Sequence, residues 1–406
     1  MKYICLVLWA ATCIAADVSV VKNGVRPKGK SQTLVFTEQL RFGSSEDQEY
    51  FAWSGGDVVL CVNDAGHFFI ADNGGNRILE FAADGSFVRQ IGRKGKGPGE
   101  FSSLKHLTIL NDNSAVALDQ TQGSSSFSFF DANMEFKEKK QVSSTNESAD
   151  NLNIRGAIFS PDGQYIYASY LRGPSEYRVS LLSKDFQELK VLKKGPLVPF
   201  NMERVEEEAF WSDFLGSWYG VVHMPALVAF GPKGTLFVAT DGKYEIIRYD
   251  AHMKENLKFS REYKPMFASP EIISALVEPV RASIAASFPP HMAAKFNART
   301  SQDAIEKAQI PPVKDPIFGM VPMEDGGLLV IHDYNPITRV SQADMFDASG
   351  NLVGDVVLPR PSVTVGGGFL GLPVNMIFKN KLAYVLEINE DDEYEVVRYS
   401  YERKSL

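Results

Sequence analysis

The strongest constraint in this sequence is repetition, because a recurring unit of about forty residues implies a propeller or a solenoid. The clearest copy spans Asp57 to Phe101 and contains DVVLCV, HFFIA, NRILEF and SFVRQI. These runs are rich in β-branched and aromatic residues, which suit strands. Turn-forming clusters divide them: Asn63-Asp64-Ala65-Gly66, Asp72-Asn73-Gly74-Gly75 and Ala83-Asp84-Gly85. Four strands joined by three tight turns form a meander, which is one propeller blade.

The pattern returns along the chain. A third strand usually ends in an aromatic residue followed by a small or acidic one: Phe81-Ala82, Phe130-Asp131, Tyr249-Asp250, Phe346-Asp347 and Tyr399-Ser400. The third unit departs from this with Leu182-Ser183. The aromatic ring is expected to pack between neighbouring sheets, while the next residue opens a turn. Second strands begin near Ser114, Tyr165, Thr235, Gly327 and Leu382, each preceded by a candidate first strand. Six units follow, starting near Asp57, Leu104, Arg155, Pro225, Ile317 and Gly368. The last has only three strands, and Thr33 to Phe42 is a strand without a unit. The expected fold is therefore an all-β, six-bladed β-propeller over residues 31–404, closed by the N-terminal strand as the outer strand of the sixth blade.

The N-terminus reads as a secretory signal peptide over residues 1–16, with Lys2, an apolar run from Tyr3 to Ala11, and small residues at Ala15 and Ala16. Around Cys13 the residues Ala10-Ala11-Thr12 do not fit a lipoprotein site. No later stretch is apolar and long enough to span a membrane. The expected location is periplasmic or extracellular. After cleavage only Cys61 would remain of three cysteines, so no internal disulfide is expected and packing must supply stability. Cys61 lies in an apolar run and reads as a small buried hydrophobe. A net charge of -8 with no long basic run argues against nucleic acid as a partner.

The stretch Ala71 to Phe81 (ADNGGNRILEF), followed by ADGSFVRQIG and GRKGKGPGEF, resembles an NHL repeat. More narrowly it is similar to a group of exported bacterial six-bladed propellers, which the Gly-Pro-Gly-Glu-Phe ending and the opening strand also fit. The resemblance implies a six-bladed ring and no particular reaction. Asp72, Asn76 and Arg77 match the recurrent polar positions of the family. Read structurally, Asp72 and Asn76 bond turn amides and Arg77 braces the turn.

Two segments interrupt the compact repeat. Residues 192–224 join units three and four and carry Glu206-Glu207-Glu208, Phe210, Trp211, Phe214, Trp218 and Tyr219. Residues 264–316 join units four and five. There Ile272, Ile273, Leu276, Val277, Val280 and Ile284 recur at helical spacing after Pro270-Glu271. Pro279 should bend this helix, Pro289-Pro290 should end it, and a second helix is expected over about Met292 to Ala308. Both segments are outer-to-inner connections, so both should lie on one face. They either cap a ligand cleft at the channel mouth or pack on the rim, with Trp211 and Trp218 as their core.

No nucleophile elbow, His-Glu-x-x-His or Cys-x-x-Cys is present. The Gly-rich stretch from Gly92 to Gly99 lacks the ending of a phosphate loop; its glycines should serve a blade-to-blade turn and its lysines should be solvated. His106, His223 and His332 are candidate metal ligands, since three imidazoles suffice for a zinc with an open position. Calcium-dependent lactonases set their metal on acidic and amide groups in the channel, and here Asn375 is the plainest such group. Arg155, Arg172 and Tyr170 better suit an anionic or sugar ligand. With Trp211, Trp218, Tyr219 and Tyr334 they form the candidate ligand-binding set of one face. The expected function is an exported, non-enzymatic scaffold, without cofactor, that binds a protein, peptide or glycan. The alternative is a zinc- or calcium-dependent hydrolase or lyase at the channel mouth.

Overall fold

A computed structural model of the chain describes residues 18–43, 58–121, 124–143, 153–172, 176–196, 202–204, 207, 209–210, 213, 227–239, 242–264, 269–286, 289–299, 316–362, 374–391 and 393–406. The segments expected to hold the signal peptide, Cys5, Cys13, Trp211, Trp218, Tyr219 and His223 lie outside these residues.

Two strands open the chain, β1 (Ser19–Asn23) and β2 (Gln32–Phe42). Blade one follows as β3 (Val58–Val62), β4 (Phe68–Asp72), β5 (Arg77–Phe81) and β6 (Phe87–Ile91). Blade two is β7 (Leu104–Ile109), β8 (Ala115–Thr121), β9 (Ser124–Phe130) and β10 (Phe136–Ser143). Blade three is β11 (Asn153–Phe159), β12 (Tyr165–Arg172), β13 (Glu176–Ser183) and β14 (Glu188–Pro196). Blade four is β15 (Val228–Phe230), β16 (Leu236–Ala239), β17 (Glu245–Tyr249) and β18 (Glu255–Arg261). Helices α1 (Pro270–Ala286) and α2 (Pro290–Arg299) come next. Blade five is β19 (Gly319–Pro322), β20 (Leu328–Tyr334), β21 (Ser341–Phe346) and β22 (Leu352–Leu358). The last strands are β23 (Met376–Lys379), β24 (Leu382–Ile388) and β25 (Tyr394–Ser405).

Every blade is an antiparallel meander. The first strands stand side by side about an axis: β3, β7 and β11 are successive neighbours, as are β15, β19, β23 and, back at the start, β3. β2 pairs antiparallel with β25, Leu34 lying opposite Arg403, and so forms the outer strand of the sixth sheet.

The core lies between blades rather than within them. The residue ending each third strand shows why. Phe81 packs with Tyr384 and Leu386 of blade six. Phe130 packs with Val59 and Ile78 of blade one, and Leu182 with Val116 and Phe127 of blade two. Tyr249 meets Leu181, Phe346 meets Phe259, and Tyr399 meets Met345, each from the preceding blade. All six side chains are buried, so Leu182 fills the aromatic position by volume alone. The residue after them does what the sequence suggests in several blades. Asp131 Oδ1 accepts the Asn133 and Glu135 amides, and Asp250 and Asp347 repeat this arrangement. Ser183 does it with its hydroxyl.

The helices sit between blades four and five. Ser269 caps α1, its Oγ accepting the Ile272 amide at 3.4 Å. The helix continues through Pro279 as one element, and Pro289 opens α2 by accepting the Met292 and Ala293 amides. The expected second helix is described over Pro290–Arg299, and the rest of its expected span, 300–308, lies outside the described residues.

One element was not legible in the sequence. β1 adds in parallel to the outer edge of blade four, with Ser19 opposite Leu257 and Asn23 opposite Arg261. Ordered structure of the propeller therefore begins before residue 31. Five residues with one apolar pair give no strand signal of their own, and the partner lies far along the chain. From β1 the chain crosses blade five, where Gln32 bridges Gly354, and then enters blade six. A Cβ on Gly354 would lie 1.7 Å from the Gln32 carbonyl oxygen, so this crossing requires glycine. Asn23 fastens the strap. Its Nδ2 donates to the Ser260 and Gly350 carbonyls at 3.0 and 2.9 Å, and its Oδ1 accepts the Leu352 amide at 2.9 Å. Asn23→Leu should lower unfolding free energy by about 2 kcal/mol, since buried partners lose their bonds. Val20→Ser, on the exposed side of the same strand, should change it by less than about 0.5 kcal/mol in the same denaturant titration.

Candidate functional site

Meander topology gives the ring two unlike ends. Turns between first and second strands, and between third and fourth, lie at one end; second-to-third turns and outer-to-inner connections lie at the other. The first end is laced from blade to blade. The Asp64 amide donates to Asn113 Oδ1 at 2.9 Å, and the Asn111 amide to the Pro161 carbonyl at 2.7 Å. Glu324 accepts the Asn380 and Lys381 amides, both at 2.7 Å, and Lys379 Nζ pairs with Asp64 at 2.7 Å. The second end carries the long connections, residues 197–227 between β14 and β15 and 262–318 between β18 and β19.

At that second end the signature residues of blade one are engaged within the protein. Asp72 Oδ1 accepts the Gly75 amide at 2.9 Å, and its Oδ2 accepts Arg77 Nε at 2.8 Å. Asn76 differs from expectation: its Oδ1 reaches across to the Leu104 amide of blade two at 2.9 Å. It ties neighbouring blades as well as its own turn, where its Nδ2 donates to the Gly74 carbonyl at 3.5 Å. The Gly-rich stretch is a self-closed turn. Glu100 accepts the Gly97 amide at 2.9 Å and Arg93 Nε at 2.8 Å, bonds that hold its carboxyl below the usual carboxylate range. Lys94 and Lys96 are exposed, as expected.

The first strands of all six blades enclose a cavity of about 500 Å³ on the axis. Its wall is mainly apolar, from residues such as Val59, Leu107, Ile158, Leu227 and Met320. Most polar groups of the wall are already bonded. Asn375 Oδ1 accepts the Leu60 amide at 3.3 Å, and its Nδ2 donates to the Val58 carbonyl and the Ser362 hydroxyl. It staples blade six to blade one. Cys61 Sγ donates to the Leu107 carbonyl at 3.2 Å, and burial pushes its thiol up to about 12. His106 is the exception: it is 8% exposed and makes no hydrogen bond among the described residues. Desolvation lowers its pKa to about 4, so the imidazole is neutral near pH 7.

The candidate residues fall into separate places. Tyr170 is buried in blade three, with its hydroxyl bonded to Glu188 and, at 3.2 Å, to Ser180. Tyr334 is buried too, its ring 4.8 Å from that of Phe318, in the cluster on which Ile272 of α1 packs. Neither presents a ring to a ligand, and sequence spacing could not distinguish a rim tyrosine from a core one. Arg172 is exposed at the loop end of β12, and Arg155 stands on the adjacent strand β11. His332 lies between blades four and five with Nε2 3.7 Å from Asp344, a carboxylate that also bonds Arg261 and Tyr244. Burial lowers the His332 pKa, opposed by Asp344. His332 and His106 thus have different surroundings. Among the described residues no three His, Cys, Asp or Glu side chains are placed to hold a metal.

Residues 56–194 match the model of the DUF5128 family, described as a 6-bladed beta-propeller. With six blades around one axis, the fifth and sixth joined through β2 into one eight-stranded sheet, this defines the chain as a six-bladed β-propeller. A DUF4221 family member from Bacteroides vulgatus has a similar fold, with a TM-score of 0.52 at 10% identity, over 93% of this chain and 99% of that one. A Bacteroides fragilis protein assigned as exported aligns at 0.43 and 12% identity, over 95% of this chain and 100% of its own. Virginiamycin B lyase from Staphylococcus aureus aligns at 0.37 and 13% identity, covering 91% and 99%. No curated protein matches the chain. No described helix is long and apolar enough to cross a membrane.

Two measurements check this description. The unfolded chain takes up the His106 proton near pH 6.5 and the folded chain near 4, so this residue favours unfolding more as pH falls through that window. His106→Leu should therefore lose less stability than the wild type between those values, by up to roughly 3 kcal/mol in denaturant titrations. Cys61 should resist iodoacetamide in the native protein at pH 8 and react once the chain is unfolded, as read by mass spectrometry of its peptide.

Proposed function

We propose that this chain is an exported propeller scaffold that binds a protein, peptide or glycan through the loops of one face. The observation that carries this reading is the unlikeness of the two ends. One end consists of short turns bonded to each other across blades, while the other emits every outer-to-inner connection, including the two longest. Loops raised on a rigid ring are where binding surfaces are usually built.

Blade three is the favoured corner. Arg155 and Arg172 lie on its paired strands β11 and β12. The connection bearing Trp211, Trp218 and Tyr219 leaves the same blade after β14. Guanidinium groups and aromatic side chains are the residue types that suit carboxylated or sulfated sugars and acidic peptides, through paired hydrogen bonds and ring stacking. A signal peptide over residues 1–16 would deliver the scaffold across the membrane.

The test is a survey of acidic glycans and peptides with the protein lacking residues 1–16, followed by titration of the best binder. Arg172→Ala should weaken binding at least about fivefold, as loss of a charged hydrogen bond does. Lys233→Ala, at the opposite end, should leave it unchanged. Equal losses in the two variants would reject this face. Zinc or calcium at one equivalent in the purified protein would instead favour a metal-dependent hydrolase or lyase.

A further inference from the structure

We propose that the axial cavity is a second binding site, for a small and mostly apolar molecule that offers a single hydroxyl or similar group to His106, and that it opens at the end away from the long loops. The inference stands apart from the loop-face reading and uses none of its residues.

Size is the first argument. A cavity of about 500 Å³ falls within the range of small-molecule sites. Wall chemistry is the second. The six blades present mainly aliphatic side chains and Phe159, Phe230 and Phe378, which suit an aromatic or fused-ring body. The polar inventory is the third. Asn375 and Cys61 are bonded to blade one and blade two, and Lys379 is paired with Asp64. Of the buried polar side chains of the wall that leaves His106, nine-tenths buried and without a hydrogen-bond partner among the described residues. A buried polar group normally has a partner, and one left without is placed to receive a ligand. Thr108 follows two residues later, on the same side of β7, and also lines the cavity. A neutral imidazole both donates and accepts, so it selects a hydroxyl, phenol or amide over an ion.

The direction of entry comes from the wall as well. Its lining extends to Asp64, Asn111, Pro161, Lys233, Glu324 and Lys379, the turn residues of all six blades at the laced end. Bonds among these turns join neighbouring blades: one to two, two to three, five to six and six to one.

The probes are 2-naphthol and naphthalene, which share a ring system and differ by one hydroxyl. Binding is followed by probe fluorescence with the protein lacking residues 1–16. Both should saturate a single site, with 2-naphthol tighter by about three- to tenfold, the usual net value of one hydrogen bond. His106→Leu should keep naphthalene binding, which certifies the fold, and lose the preference; His106→Gln should retain part of it. In wild-type protein carrying isotope-labelled histidine, the His106 ring nitrogens should shift with 2-naphthol and stay in place with naphthalene. Absence of saturable binding by either probe overturns the proposal. So does a preference that survives His106→Leu, or ring nitrogens that respond to both probes alike. Arg172→Ala should leave both titrations unchanged, so failure of the loop-face reading and failure of this one are read separately.

Discussion

The structure depends on one constraint: each sheet is stable only when its two faces are covered by its neighbours. A four-stranded meander buries little by itself. The third-strand terminal residue of every blade therefore packs on the preceding blade, and the core is a set of wedges between sheets. Such an arrangement has no natural end until the last sheet meets the first. Phe68 and Phe81 of blade one meet that requirement by packing on Tyr384 of blade six, with the Phe42 ring of β2 5.2 Å from both, edge-on to Phe68 and tilted to Phe81.

Closure puts a load on the chain ends, and the N-terminal segment bears more of it than one strand. β1 lengthens blade four, the crossing touches blade five at Gly354, and β2 completes blade six. Three successive blades are thus held by fewer than thirty consecutive residues. The buried carboxylate of Asp344 strengthens the same seam. It bonds Tyr244 and Arg261 of blade four from β21 of blade five, and Arg261 in turn donates to the Val25 carbonyl of the strap at 3.2 Å. Such a paired, buried charge is costly to disturb on one side only.

The same ring separates two kinds of surface. Outer-to-inner connections are free to lengthen because they start and finish on a rigid rim. The opposite turns are short and bonded to neighbours, which keeps the axis open at that end. Asn375, just before β23, joins blade six to blade one. Aliphatic and aromatic side chains make up most of the channel wall, with charged and amide groups at its laced end.

What the sequence determined by itself was the repeated element. Periodic apolar runs, turn residues and the terminal aromatic were enough for six meanders, because these features act within a few residues of one another. Parallel addition of β1, the reach of Asn76 to the next blade and the glycine at position 354 were decided by tertiary structure alone, since each involves backbone brought close from distant parts of the chain. Side-chain fate divided in the same way. Tyr170, Tyr334 and His106 look equally available along a strand, and only the packing of one blade on the next buried the two tyrosines and set the imidazole in the channel wall.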